Sequence, residues 1–184
     1  MKALYLLLAV IAILAINSCD TVWDESFTPD SDIPDSEGFY TCASGNFVLR
    51  YRLEPDNKLL CRYTAVGTGW IGIGFAPQQQ MSQANFIIGY YDNTGHLRDD
   101  WGVSSTEHAS DLALGGTNDC VLVTEGSDNG VSTYLQFYIP LDSGDQYDTV
   151  LTPGVEIPVI FAAGSTDDFD SYHTSYATGS IKIR

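Results

Sequence analysis

The sequence predicts an all-β domain, a sandwich or a barrel, and three observations carry that expectation. Apolar and polar residues alternate at period two in several short runs, as in Phe47 to Leu53. Clusters of Gly, Pro, Asn and Asp separate these runs at short intervals. After the N-terminal stretch, no segment of ten or more residues shows an apolar period of about 3.6.

The first element is not part of that domain. Met1-Lys2 precedes an almost unbroken apolar run from Ala3 to Ile16. The run is shorter than the roughly 20 residues of a spanning helix and reads as the core of a secretory signal. Ile16-Asn17-Ser18-Cys19 resembles the bacterial lipobox, in which the cysteine is lipidated and becomes the first residue of the mature chain. The expected division is therefore a signal peptide over 1–18, a lipidated Cys19 opening a flexible acidic tether over 19–38, and one domain over 39–184. The tether carries Pro29, Pro34 and few apolar residues, a composition that does not repay ordering. Such an anchor places the domain in the cell envelope, on the extracytoplasmic side of a membrane.

The strands follow in order. Phe47, Leu49, Tyr51 and Leu53 share one face; Pro55-Asp56-Asn57 turns the chain into a second arm from Leu59 to Ala65. Trp70 to Phe75 is a third strand, with Ile71, Ile73 and Phe75 on one face and Gly72 and Gly74 on the other. A face bearing only glycine lets another backbone or a flat ligand come close. Phe86 to Tyr91 is a fourth strand, turned at Asp92-Asn93-Thr94-Gly95 into His96 to Trp101. Asp100 to Thr117 reads as a connection with a short helical turn. Val121 to Glu125 pairs across Asp128-Asn129-Gly130 with Val131 to Ile139, where Val131, Thr133, Leu135, Phe137 and Ile139 share a face. Val155 to Ala163 is a further strand, residues 164–176 a polar loop, and Ser180 to Arg184 a short last strand.

Charge is one-sided, with 8 Lys+Arg against 24 Asp+Glu. This excludes nucleic acid, whose phosphates need cationic neutralisation, and docking of the domain on anionic headgroups. A basic redox partner would be drawn to such a surface. If Cys19 carries lipid, Cys42, Cys61 and Cys120 remain, and one pair plus one free thiol is the simplest expectation in an oxidising compartment. No C-x-x-C-H occurs, which excludes covalent c-type haem.

Few side chains can bind a metal. Met81 stands in a polar loop between the third and fourth strands, and a thioether is a soft ligand suited to haem iron or copper. Its bland alternative is a gap-filler over the core edge. His173 lies in the loop before the last strand, where a solvated role competes with ligation. His96 and His108 read as surface residues. Asp167-Asp168 could hold calcium with loop carbonyls, and Asp99-Asp100 are adjacent acids that point apart on an extended chain. No G-x-S-x-G, H-E-x-x-H or P-loop is present, so an enzyme is not expected.

Three blocks carry a family resemblance. Residues 69–77 (GWIGIGFAP), then Met81 and residues 84–90 (ANFIIGY), resemble the central signature of DOMON domains. The strand from Asn129-Gly130-Val131 to Ile139-Pro140-Leu141 is similar to the family's next block. Residues 159–164 (VIFAAG), followed by Asp167-Asp168 and Tyr172-His173, are similar to its closing block. The resemblance implies an immunoglobulin-like antiparallel β-sandwich with a pocket at one end. In cytochrome members a haem b is held between a methionine after the Gly-Phe-x-Pro turn and a histidine before the last strand. These positions fall on Met81 and His173. Trp70, Phe86, Tyr90, Phe161 and Tyr172 are then candidates to line the haem, although a core role competes for most of them. Other DOMON members are thought to bind sugars or small ligands without haem, and eleven tyrosines supply faces for sugar rings. An electron-transfer haem domain is therefore expected, with a carbohydrate or small-ligand module as the alternative.

Overall fold

A computed structural model describes residues 27–28, 32–124 and 126–184. The expected signal peptide, Cys19 and most of the tether lie outside the described residues. In chain order the strands are β1 (Phe27–Thr28), β2 (Tyr40–Ser44), β3 (Phe47–Leu53), β4 (Lys58–Val66), β5 (Ile71–Phe75), β6 (Asn85–Tyr91), β7 (Gly95–Gly102) and β8 (His108–Ser110). One helical turn, α1 (Asp111–Leu114), follows, and then β9 (Val121–Leu122), β10 (Ser127–Asp128), β11 (Ser132–Pro140), β12 (Glu156–Ala163) and β13 (Ser175–Lys182).

Two antiparallel sheets pack face to face. The first runs β1-β2-β3-β4-β11-β10, with β9 also paired to β11; the second runs β13-β12-β5-β6-β7-β8. Period-two alternation decides the inner faces. Phe47, Leu49 and Tyr51 from β3, Leu135, Phe137 and Ile139 from β11, Ile71, Ile73 and Phe75 from β5, and Val159 and Phe161 from β12 are all buried in one core. At its centre the Phe161 ring lies 5.7 Å from both Phe47 and Tyr63. Two tyrosine hydroxyls cross this core to bond the opposite sheet. Tyr63 donates to the Gly72 carbonyl at 3.0 Å, and Tyr51 to the Lys182 carbonyl at 3.1 Å.

Several expected elements differ in detail. The last strand starts at Ser175, not Ser180, and pairs with β12 residue by residue from Ala163↔Ser175 to Glu156↔Lys182. Its inward residues Ala177 and Gly179 are too small to show an apolar period. A Cβ on Gly179 would meet Cys42 Sγ at 3.0 Å, so glycine lets the sheets close there. The arm expected over Val121 to Glu125 is two short pieces, β9 against Phe137 and Tyr138 and β10 against Thr133 and Tyr134. The described end of the expected tether is engaged: β1 pairs with β2, and the Asp35 and Glu37 carboxylates bind Arg50. Cys61 and Cys120 are buried free thiols, so neither forms the expected pair with Cys42 or with the other.

Candidate functional site

The outer face of the second sheet carries a second apolar cluster, separate from the main core. Strand register shows why. Gly72 on β5 faces Ile88 on β6 and Ala162 on β12, and Gly74 faces Phe86 and Ile160. Because their neighbours Ile71, Ile73, Ile87 and Phe161 point inward, these residues point outward. Trp70, Ala84, Phe86 and Ile88 are buried there, with Met81, Tyr90, Ile160, Ala162 and Phe169 packed against them. Contrary to the expectation from the sequence, the outward glycines do not leave bare backbone for a flat ligand. A Cβ on Gly74 would meet Phe86 Cε1 at 2.5 Å and Ile160 Cγ1 at 2.9 Å, so these side chains already fill the space. The face is an apolar floor above the strand, not a slot cut down to it.

Met81 reaches this floor from the loop beyond the Phe75 end of β5. Ala76, Gln80 and Gln83 each have positive φ, at 50°, 52° and 57°. Non-glycine residues adopt that region at a cost, which the surrounding bonds must hold in place. Those bonds run to the end of β7: Gln83 N–H donates to the Gly102 carbonyl at 2.8 Å, and Gly102 N–H to the Ala84 carbonyl at 2.9 Å. A Cβ on Gly102 would lie 1.8 Å from the Met81 carbonyl oxygen, so only glycine admits this approach.

His173 belongs to the loop at the other end of β5, between β12 and β13. Trp70 ties that loop down. Its backbone N–H donates to the Thr166 carbonyl at 3.0 Å, and its indole N–H to Ser171 Oγ at 2.8 Å. The Asp168 carboxylate accepts the N–H groups of Ser171 at 2.6 Å and Asp170 at 2.9 Å. These backbone donors hold its pKa down to about 2. Asp168 thus closes a turn, and the calcium role raised for Asp167-Asp168 has no support. The His173 ring stacks on Tyr172 at 4.3 Å and meets Tyr176 edge-on at 5.4 Å. Burial lowers its pKa, which favours the neutral imidazole that binds metals.

A polar edge borders the floor on β7 and β8. Arg98 grips the buried Asp100 with two hydrogen bonds of 2.6 and 2.7 Å, and its guanidinium stacks on Phe169 at 4.5 Å. His108 Nδ1 lies 2.6 Å from the second Asp100 oxygen, so His108 is a built-in partner and not the surface residue expected. Burial opposes ionisation of Asp100, but the bonds from His108 and Arg98 outweigh it and lower its pKa. Sequence reading missed this trio. Its signal was present in Arg98-x-Asp100, two charges on the same face of one strand.

Of the expected lining residues, Trp70, Phe86 and Tyr90 come together on the floor. Tyr172 does not join them; it is 84 % exposed and stacks on His173. Phe161 faces the opposite way, into the inter-sheet core. Met81 and His173 approach from opposite ends of β5, whose register runs from Ile71↔Ala163 to Phe75↔Asn85. A soft thioether on an apolar floor and a neutral imidazole suit haem iron in chemistry.

A protein-family model described as "DOMON domain" matches residues 43–164. The chain belongs to the DOMON family. The match takes in Trp70, Met81, Phe86 and Tyr90 and stops just before the loop that carries His173. This DOMON chain is 38 % identical over 53 residues to a cytochrome b561 and DOMON domain-containing protein of Arabidopsis thaliana. That stretch is 28 % of the present chain and only 13 % of the plant protein's length. Its sandwich superposes on the cytochrome b domain of pyranose dehydrogenase from Coprinopsis cinerea with a TM-score of 0.57 at 11 % identity, covering 78 % of this chain and 82 % of that one. The cytochrome domain of Myriococcum thermophilum cellobiose dehydrogenase gives 0.57 at 9 % identity, over 84 % and 88 %. At these identities the likeness establishes the fold.

Proposed function

We propose that this DOMON domain holds a haem b between Met81 and His173 and serves in electron transfer. The observation that carries the reading is the outward apolar cluster of Trp70, Ala84, Phe86 and Ile88, in a chain of net charge −16, with the Met81 loop at one end and the His173 loop at the other. The four side chains are themselves buried, so a macrocycle would be seated against the partly buried Met81, Tyr90 and Phe169 that pack over them. Haem iron bound there supplies a one-electron couple whose potential is raised by a thioether opposite an imidazole. Two protein ligands leave no open coordination position, which favours electron transfer over catalysis at the metal. Trp70, Phe86 and Tyr90 would keep water from the macrocycle, and the tied-down 164–174 loop would hold the imidazole in place. The acidic surface favours a cationic redox partner. Cys19, if lipidated, would keep the domain on the extracytoplasmic side of a membrane.

The test is a reduced-minus-oxidised absorption spectrum of the purified chain after haem supplementation. A Soret band that shifts in Met81→Ala and weakens in His173→Ala is expected. A colourless protein, or identical spectra in both variants, refutes the assignment.

A second reading has its own observation. Tyr172 and Tyr176 are 84 % and 67 % exposed beside His173, as rings that stack on sugars would be. Colourless protein that binds a glycan, and loses it in Tyr172→Ala, would favour a carbohydrate module.

A further inference from the structure

A second constellation lies across the second sheet from the proposed haem floor. Asp99 on β7 faces inward beside Ile87, Asp111 opens α1, and Asp148 lies in the loop between β11 and β12. One carboxylate oxygen from each falls within 4.8 Å of the others. Asp99 is 2 % exposed and Asp111 fully buried. None of the three has a cationic partner among the described residues. Burial of several carboxylates side by side is costly unless a counter-charge is present.

Orphaned oxygens point the same way. Among the described residues, five buried side-chain polar atoms lack a hydrogen-bond partner: Arg62 Nε, Asn85 Oδ1, Asp99 Oδ1 and both oxygens of Asp111. All but the first belong to this cluster or border it. Asn85, 5 % exposed, donates through Nδ2 to Asp148 and so joins the group from outside the acidic trio. Buried polar atoms nearly always have partners, so this concentration demands an explanation.

The surroundings hold the oxygens in place. Asp119 N–H donates to the other Asp99 oxygen at 3.1 Å, and Ser143 Oγ donates to Asp148. Gly116 N–H caps the Asp111 carbonyl at 2.8 Å. A polar depression lies between residues 115–117 and 143–146, the segments that follow Asp111 and precede Asp148 in the chain.

We infer that Asp99, Asp111, Asp148 and the Asn85 side-chain carbonyl form a binding site for a hard divalent cation, calcium by preference. The donors are all oxygens, which excludes the softer metals. Oxygens on one calcium ion sit about 2.3–2.6 Å from it and hence up to roughly 5 Å apart, as here. Magnesium demands a tighter octahedron and keeps more of its water. Ion binding would turn the Asn85 amide, whose nitrogen faces Asp148 here, so that its unpartnered oxygen joins the donors. Burial, then repulsion from neighbouring acids, pushes Asp99 up to about 8, Asp111 to about 7 and Asp148 to about 6, as expected of an anionic cluster short of positive charge.

The test uses the full chain without added haem, stripped with EGTA and titrated with calcium chloride, with magnesium chloride in parallel. The unfolding midpoint should rise with calcium and much less with magnesium, because a ligand that binds only the native state stabilises it. Terbium, substituting for calcium, should luminesce on excitation of Trp101 and Tyr147, whose rings lie 6.4 Å apart beside Asn85 and Asp148. Asp111→Asn keeps the shape and removes one charge. It should leave the EGTA midpoint equal or higher and raise the calcium needed for half the shift at least tenfold; Asp148→Asn provides the same reading should Asp111→Asn not fold. A wild-type midpoint indifferent to calcium with no terbium signal overturns the proposal, and leaves the carboxyls as protonated partners of one another. A calcium response undiminished in both variants overturns it equally.

Discussion

Single residues decide how the two proposed ligands are carried. Met81 is only half-buried, so Met81→Ala should cost no more than about 2 kcal/mol in urea unfolding while lowering the haem potential. Gly102→Ala should cost more, about 2–3 kcal/mol in the same measurement, because the new methyl would overlap the Met81 carbonyl and push the loop away. An unchanged midpoint in Gly102→Ala would show that the loop adapts freely. Met81 and His173 were legible as a pair only through their family context, since each alone looks like an ordinary loop residue. The Met81 loop geometry was not legible at all. Positive φ at Ala76, Gln80 and Gln83 leaves no compositional mark, because none of the three is glycine.

At the scale of elements, period two was the dependable signal. β3, β5 and β11 alternate visibly, and each lies where that alternation places it. β13 was half-hidden because its inward positions are alanine and glycine and its pairing, not its composition, makes it a strand. Parity also separates the two aromatic roles on neighbouring strands. Phe161→Ala should cost about 3–5 kcal/mol by denaturant unfolding, since it empties the centre of the Phe47–Tyr63 stack. It should leave the haem spectrum of surviving folded protein unchanged. Trp70→Phe should reverse that pattern. It costs about 1 kcal/mol for the lost bond to Ser171 but loosens the His173 loop and weakens haem retention.

The whole molecule has two opposed acid–base tendencies. Asp99, Asp111 and Asp148 have native pKa values above that of an exposed aspartate. Their contribution is fully present below the ordinary aspartate value of 3.8 and is lost as pH climbs from there through about 6 to 8. Asp100 is lowered, so its contribution is present above the ordinary carboxylate range and is lost as pH falls below it. In EGTA, scanning calorimetry should therefore find the highest midpoint near about pH 4 and a decline that levels off near pH 8. Calcium should flatten the alkaline side. A calcium-free midpoint level from pH 5 to 8.5 would contradict the burial of three ionisable acids. The sequence foresaw Asp99 and Asp100 pointing apart, but not that both would be buried. Nothing in an isolated Asp-Asp pair tells that each side of the strand will be covered, one by α1 and the 141–152 loop, the other by Arg98 and His108.

Cys61 and Cys120 end as inert sulfurs, sealed away and pushed far from ionisation by burial. Maturation thus asks for no oxidase acting on either. An alkylating reagent would consume them only when the sheets part, which turns the rate of labelling into a clock for global opening.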